Sequence, residues 1–295
     1  MADTPSIGSL ATMAMDTATP FDVSSIAFEY VRETLTASKT HVESQGIRGT
    51  RSRREERVKV ATEDVSGSIV MNPSVTEIDI LIERILGGTT AGGVTAVAET
   101  LPTFQVMIDR IAKVHSYLEC VVASAVIRGV KGQPIELTLN LEGESSTIGA
   151  AGGFPAITID SDATFFIFSE ATLTLQSTSR LIEEFTLTID NLVRTDRRFN
   201  STTRVNMQAQ DRIVSLGCTV PYTPDNTDLE DQAIAGAAGI LVLTDGSTTY
   251  TFNFGNVKSE SENPTVGGRE EISLPLQRMR CYDTGSVKEI VCTKT

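Results

Sequence analysis

The chain has 295 residues, 40% of them hydrophobic, and a formal net charge of −13. That length suits one large β domain or two smaller ones, and the apolar content supplies a core that disordered chains lack. The acidic balance repels a free phosphate backbone and argues against tight nucleic-acid binding, while 5% aromatic residues and no Trp argue against a carbohydrate module built on exposed aromatic platforms.

Four cysteines, Cys120, Cys218, Cys281 and Cys292, are far apart and form no C-x-x-C pair. They do not make a disulfide scaffold. Cys120 and Cys218 sit in apolar runs, where a free thiol behaves as a small hydrophobe. Reduced thiols and synthesis in a cytoplasm are expected. The start, Met1 to Pro5, lacks the basic and apolar regions of a signal peptide. No run of about 18 apolar residues is present, so no membrane span and no membrane binding are expected.

Residues 1–40 are rich in Thr, Ser and Ala without a clear period. They read as an N-terminal arm that needs a neighbour to pack against, or as a partly ordered tail. Residues 41–57 are polar and basic, with His41, Arg48, Arg51, Arg53, Arg54 and Arg57 around Glu55 and Glu56. This reads as an exposed loop between strands. Its arginines could meet an acidic surface on another subunit or simply be solvated. A nucleic-acid patch is disfavoured because no aromatic residue is interleaved.

From Val58 to Met71 the apolar residues fall near period two, and Gly67 suggests a bend or bulge. Ser74 and Glu77 then form a capping box. Val75, Ile78, Leu81, Ile82, Ile85 and Leu86 recur at helical spacing, and Gly87-Gly88 provides a stop. Such a helix should lie on a sheet. After a Gly/Thr/Ala-rich loop at 87–102, Phe104, Val106 and Ile108 alternate with Gln105, Met107 and Asp109. The run from Tyr117 to Ile127 suits a strand buried on both sides. Gly132-Gln133-Pro134 makes a turn, and Ile135, Leu137, Leu139 and Leu141 alternate with Glu136, Thr138, Asn140 and Glu142.

Residues 143–169 are loop-rich and mark a soft internal boundary. Beyond them, Leu173 and Leu175 resume the strand pattern. Phe185, Leu187 and Ile189 alternate with Thr186, Thr188 and Asp190, and Val214, Leu216, Cys218 and Val220 continue it. Thr227 and Glu230 suggest a second capping box and a short helix near 227–238. Asp245-Gly246 between two apolar runs favours a hairpin. Ile272 to Leu276 and Val287 to Cys292 close the chain. The sum is about ten to twelve strands, which argues for an all-β, mainly antiparallel sandwich or barrel with one or two short helices packed on it.

Few residues advertise chemistry. His41 and His115 have no partner at a ligand-like spacing. The glycines of Gly87 to Gly93 follow a helix instead of preceding one, and no Lys-Ser/Thr comes after them, unlike a phosphate loop. Asp225, Asp228, Glu230 and Asp231 lack the glycine and terminal Glu of a calcium loop. No G-x-S-x-G elbow is present. No catalytic residue, metal site or cofactor is expected.

The order of features carries a resemblance. It runs through Val65-Ser66-Gly67-Ser68-Ile69-Val70, the helix ending Ile85-Leu86-Gly87 and the strand from Thr103 to Asp109. It continues through the Cys120 strand, the stretch from Gly132 to Leu139, and Glu184 to Asn191. Over about residues 45–295 the chain resembles the tail tube proteins of long-tailed, siphovirus-like bacteriophages. The resemblance implies a tail tube-like fold at 41–295 and a structural virion protein that is not an enzyme, made in the bacterial host cytoplasm. It implies self-association into rings, usually hexameric, that stack head to tail into a hollow tube. Strands from neighbouring subunits would close a β-barrel around a lumen that holds the tape-measure protein and then genomic DNA. Other tail proteins would meet the tube ends.

On that basis Asp109, Glu136, Glu142 and Asp190 are candidate lumen-facing acids, whose charge would keep DNA from adhering. Arg48, Arg51, Arg53, Arg54 and Arg57, together with the arm, are candidate inter-subunit contacts. A tail terminator, a decoration protein, the inner tube of a contractile machine and a β-sandwich binding module are the alternatives.

Overall fold

The computed structural model describes residues 7–16, 21, 26–47, 49–157, 164–229, 236–260, 263–264, 266 and 268–295. The first half holds β1 (Thr12–Asp16), β2 (Ile26–Phe28), β3 (Arg32–Glu33), β4 (Thr36–Glu43) and β5 (Val58–Met71). The helix α1 (Val75–Leu86) follows, then β6 (Val94–Ala96), β7 (Phe104–Asp109), β8 (Val114–Val130), β9 (Glu136–Gly143) and β10 (Ser145–Gly149). The second half holds β11 (Ala171–Leu175), β12 (Thr178–Arg180), β13 (Glu184–Asp190), β14 (Val193–Arg194), β15 (Gln208–Ala209) and β16 (Ile213–Pro221). The last four are β17 (Ala237–Thr244), β18 (Thr249–Ser259), β19 (Ser273–Tyr282) and β20 (Val291–Lys294). The fold is all-β and antiparallel with one short α-helix among the described residues, as the alternation implied.

β8 organises the molecule. Its second half pairs with β9 on one side and β13 on the other. Its first half pairs with β7 and β10. Between the halves Glu119 takes a left-handed φ of 50°, and the β7 register shifts between Phe104 and Val106. An irregularity of this kind bends a long strand from one sheet into another. The larger sheet runs β4-β5-β9-β8-β13-β16-β19-β18-β17-β11-β12. The smaller branch runs β2-β1-β7-β8-β10.

Alternation fills the core. Leu137, Leu139 and Leu141 of β9, Phe185, Leu187 and Ile189 of β13, and Leu216 and Cys218 of β16 are all buried in one cluster. α1 begins with the expected capping box. Ser74 Oγ accepts from Glu77 N at 3.3 Å, and the Glu77 carboxylate accepts from Ser74 N and Glu29 N, each at 2.8 Å. Gly87 ends the helix at φ 87°, a conformation in which glycine avoids a Cβ clash. The helix packs on β8 and β6. Asn191, fully buried, donates from Nδ2 to Ile85 O at 3.1 Å and Val122 O at 3.0 Å, which ties the helix end to the sheet.

Several local expectations resolve differently. Gly67 is not a bulge. β5 keeps an unbroken register with β9 from Val65 to Met71, and the glycine instead lets the Thr34–Leu35 backbone approach closely. The described part of the 1–40 segment joins the sheets: β1 pairs with both β2 and β7, and Met13, Ala14, Met15, Phe28 and Leu35 are buried. The 143–169 segment includes β10 and buries Phe166 and Phe168 in the same core. Of the second expected helix, Pro224–Leu229 is a 3-10 turn and Ala237–Thr244 is strand. Glu230 of its capping box lies outside the described residues. No described helix is long and apolar enough to cross a membrane.

Candidate functional site

The residue types that usually carry chemistry are dispersed or occupied. His41 is exposed on β4 opposite Val60. His115 lies on β8 between Ile108 and Ile148 and stacks on Tyr117, with ring centroids 6.5 Å apart. Burial and the Arg110 charge hold its imidazole below the ordinary range. The four cysteines are buried and in no disulfide among the described residues. Burial pushes the Cys281 and Cys292 thiols up to about 12 and Cys120 higher, so these three are not poised as thiolates. Among the described residues no three His, Cys, Asp or Glu side chains are grouped to hold a metal ion. A polar cleft of about 330 Å³ lies between Glu99, Asp211, Arg212, Asp283 and Glu289. Arg212 is bound there to Glu289 at 2.7 Å and to Ala98 O, and Lys288 to Asp283 at 2.9 Å. Both cations are thus paired with a carboxylate of this chain, although Arg212 Nε is buried without a partner.

Two surfaces stand out instead. The first is the β4–β5 hairpin. Its strands pair from Thr36↔Ser66 to Glu43↔Val58, with one shift at Thr40/His41. Seven of the eight β4 residues are exposed, and so are Val58, Lys59 and Val60. Val42 is 60% exposed and Ile47 in the connecting loop is fully exposed. Among the described residues β4 pairs only with β5, so its other edge offers free backbone groups. Arg51, Arg53 and Arg54 are exposed in the loop and Arg57 is half-buried. Arg53 binds Glu43 at 2.8 Å. Arg48 lies outside the described residues. At the hairpin base Glu63 holds Lys39 at 3.2 Å and the Ser146 amide and hydroxyl at 3.1 and 2.9 Å. Burial opposes its charge, but these bonds outweigh burial and hold the carboxyl below its usual range.

The second surface is the polar face of β5-β9-β8-β13-β16. Ser68, Asn140, Ser124 and Asp190 follow one another across it in register. The next row holds Thr138, Val126, Thr188 and Ser215, and the next Glu136, Arg128 and Thr186. Most are half-buried in the way of small side chains on an open sheet face. Asn140 donates to Ser124 Oγ at 2.8 Å, and Arg128 lies 3.8 Å from Glu184. Short hydroxyl side chains keep this face smooth.

The four candidate acids are distributed unevenly. Glu136 and Asp190 share the polar face, in different rows. Asp190 Oδ1 accepts from Leu192 N at 3.0 Å. Glu142 lies on the same strand as Glu136 but accepts from Arg204. Asp109 is on β7 in the smaller branch, where it accepts from Ile111 N at 2.7 Å. Sequence reasoning missed Arg204 and Arg198. Arg204, buried at 8% exposure, also donates to Asp64 at 2.9 Å and Val65 O at 3.1 Å, and Arg198 joins it on Asp64. This network straps the 193–209 segment across β5 and β9.

The family model described as phage tail tube protein matches residues 5–277 of the chain. No curated protein matches it.

Proposed function

The chain belongs to the phage tail tube protein family, and from that premise we propose that its copies form rings, hexameric as in the resemblance drawn above, that stack into the hollow tube of a siphovirus-like tail. The observation that carries this reading is the β4–β5 hairpin, an eight-residue edge strand joined to a basic loop with exposed valines on both strands. Such a surface is an aggregation hazard in a free monomer and becomes an asset when a neighbouring copy covers it. Ring closure removes sheet edges, and head-to-tail stacking is a contact that propagates without closing.

In this reading Arg51, Arg53, Arg54 and Arg57 lie at subunit contacts. The hydroxyl-rich face, with Glu136 and Asp190, faces the lumen. It carries few cations to hold phosphate, so DNA and, before it, the tape-measure protein can slide along it. Asp109 and Glu142 are the weaker lumen candidates, because one lies on the other sheet branch and the other is neutralised by Arg204. The role is structural and requires no catalytic group. Charge reversal at Arg53 and Arg54 (R53E/R54E) tests it. The wild type should form tubes under negative-stain electron microscopy, and the variant should lose them while its circular dichroism stays that of a folded β protein. Undiminished tubes in the variant would overturn the assigned role of the loop.

A further inference from the structure

Stacking through the hairpin requires a surface that receives it, and we propose that this surface is the opposite end of the same sheet on the next copy. The receiving loops are 131–136, 165–167, 181–184 and 268–271. The inference rests on the tube reading above and names the partner surface that reading leaves open.

β5 leaves the sheet toward the hairpin tip beyond the Val65↔Gly143 pair. The other end of β9 is Glu136, where the 131–135 turn joins it to β8. Lys131 N donates to Glu183 O at 3.1 Å, and Pro134 bridges Ile167. Pro221↔Ser273 closes β16 against β19 at this same end. These loops therefore gather at the end of the sheet opposite the hairpin, as a head-to-tail contact requires.

Charge and apolar exposure then match. Residues 44–59 carry Arg48, Arg51, Arg53, Arg54, Arg57 and Lys59 against Glu55 and Glu56. The receiving end exposes Glu183, Glu270 and Glu271 against Arg128, Lys131 and Arg269, with Glu136 and Glu184 half-buried beside them and Arg128 3.8 Å from Glu184. Three large apolar side chains also stand in water there: Leu181 at 79% exposure, Phe165 at 52% and Ile167 at 36%. The hairpin offers Ile47, Val42, Val58 and Val60 in return. Apolar residues rimmed by charge are the anatomy of a protein interface, and opposite rims fit together only tip to base. Two tips, or two bases, repel, so growth has one polarity.

The test is a charge swap scored by negative-stain electron microscopy of purified protein at low salt. R51E/R54E and E183K/E271K should each remain folded by circular dichroism and each lose tubes. The chain carrying all four substitutions restores opposite signs between the swapped positions and should regain them. If E183K/E271K assembles like the wild type, or the fourfold variant fails to recover while the wild type forms tubes, the receiving surface is wrong and the tube reading stands. A wild type that forms no tubes overturns both.

Discussion

A Cβ at Gly67 would stand 2.6 Å from the Leu35 Cα and 2.6 Å from the Thr34 carbonyl oxygen. Both are backbone atoms, so no side chain can swing aside. Gly67→Ala is expected to cost about 1–3 kcal/mol in urea unfolding, the range for overpacking a tight site. Arg204 makes the converse case. Its removal leaves Asp64 and Glu142 facing each other's charge across β5 and β9 without their shared cation. Arg204→Ala should destabilise by about 2 kcal/mol, below a fully buried pair because both acids keep some water contact. Glu63 carries a pH signature. Its folded carboxyl sits below the ordinary range, so its contribution is present above the unfolded value of about 4.3 and is lost as pH falls through the folded one. Glu63→Gln should therefore flatten the acid side of the stability profile below about pH 4.3 and change the slope little above it. None of these couplings is local in sequence. Glu63 meets Ser146 across 83 positions and Arg204 meets Asp64 across 140, so no spacing rule could reveal them.

At the scale of elements, legibility followed periodicity. β9, β13, β16 and α1 were readable because each buries one face, and burial on one face imprints a period. The Ser74 capping box was equally plain, and Ser74→Ala should cost about 1 kcal/mol, read as a fall in thermal midpoint. β1 and β4 were not readable, for opposite reasons. Met13, Ala14 and Met15 of β1 are buried in succession, so no alternation survives. β4 is exposed on both faces, so no apolar period is imposed on it. A strand without a buried face is stable here only as half of a hairpin, which is why its outer edge is the natural place for a second copy. Of the candidate contact residues, Arg51, Arg53 and Arg54 come out exposed on this element. The acids were harder to assign, because the lumen-facing side of a sheet depends on neighbours that one chain does not contain.

For the whole molecule, the net charge of −13 conceals an uneven distribution, with cations on the hairpin and acids at the other end of the strands. Assembly should therefore be salt-sensitive. Raising salt toward 1 M, where charges are screened beyond about 3 Å, should shorten tubes in electron micrographs, and the remaining apolar contact should leave some association. The all-β class was legible in composition and pattern. The polarity of the molecule was not, since loops from residues 131, 181 and 268 meet only once the sheet is folded. In the proposed role this chain builds a tube by itself. The most direct measurement is electron microscopy of the purified wild-type chain across a concentration series. Hollow rings or tubes with a regular axial repeat are expected, and a folded protein that stays monomeric at every concentration would contradict the account.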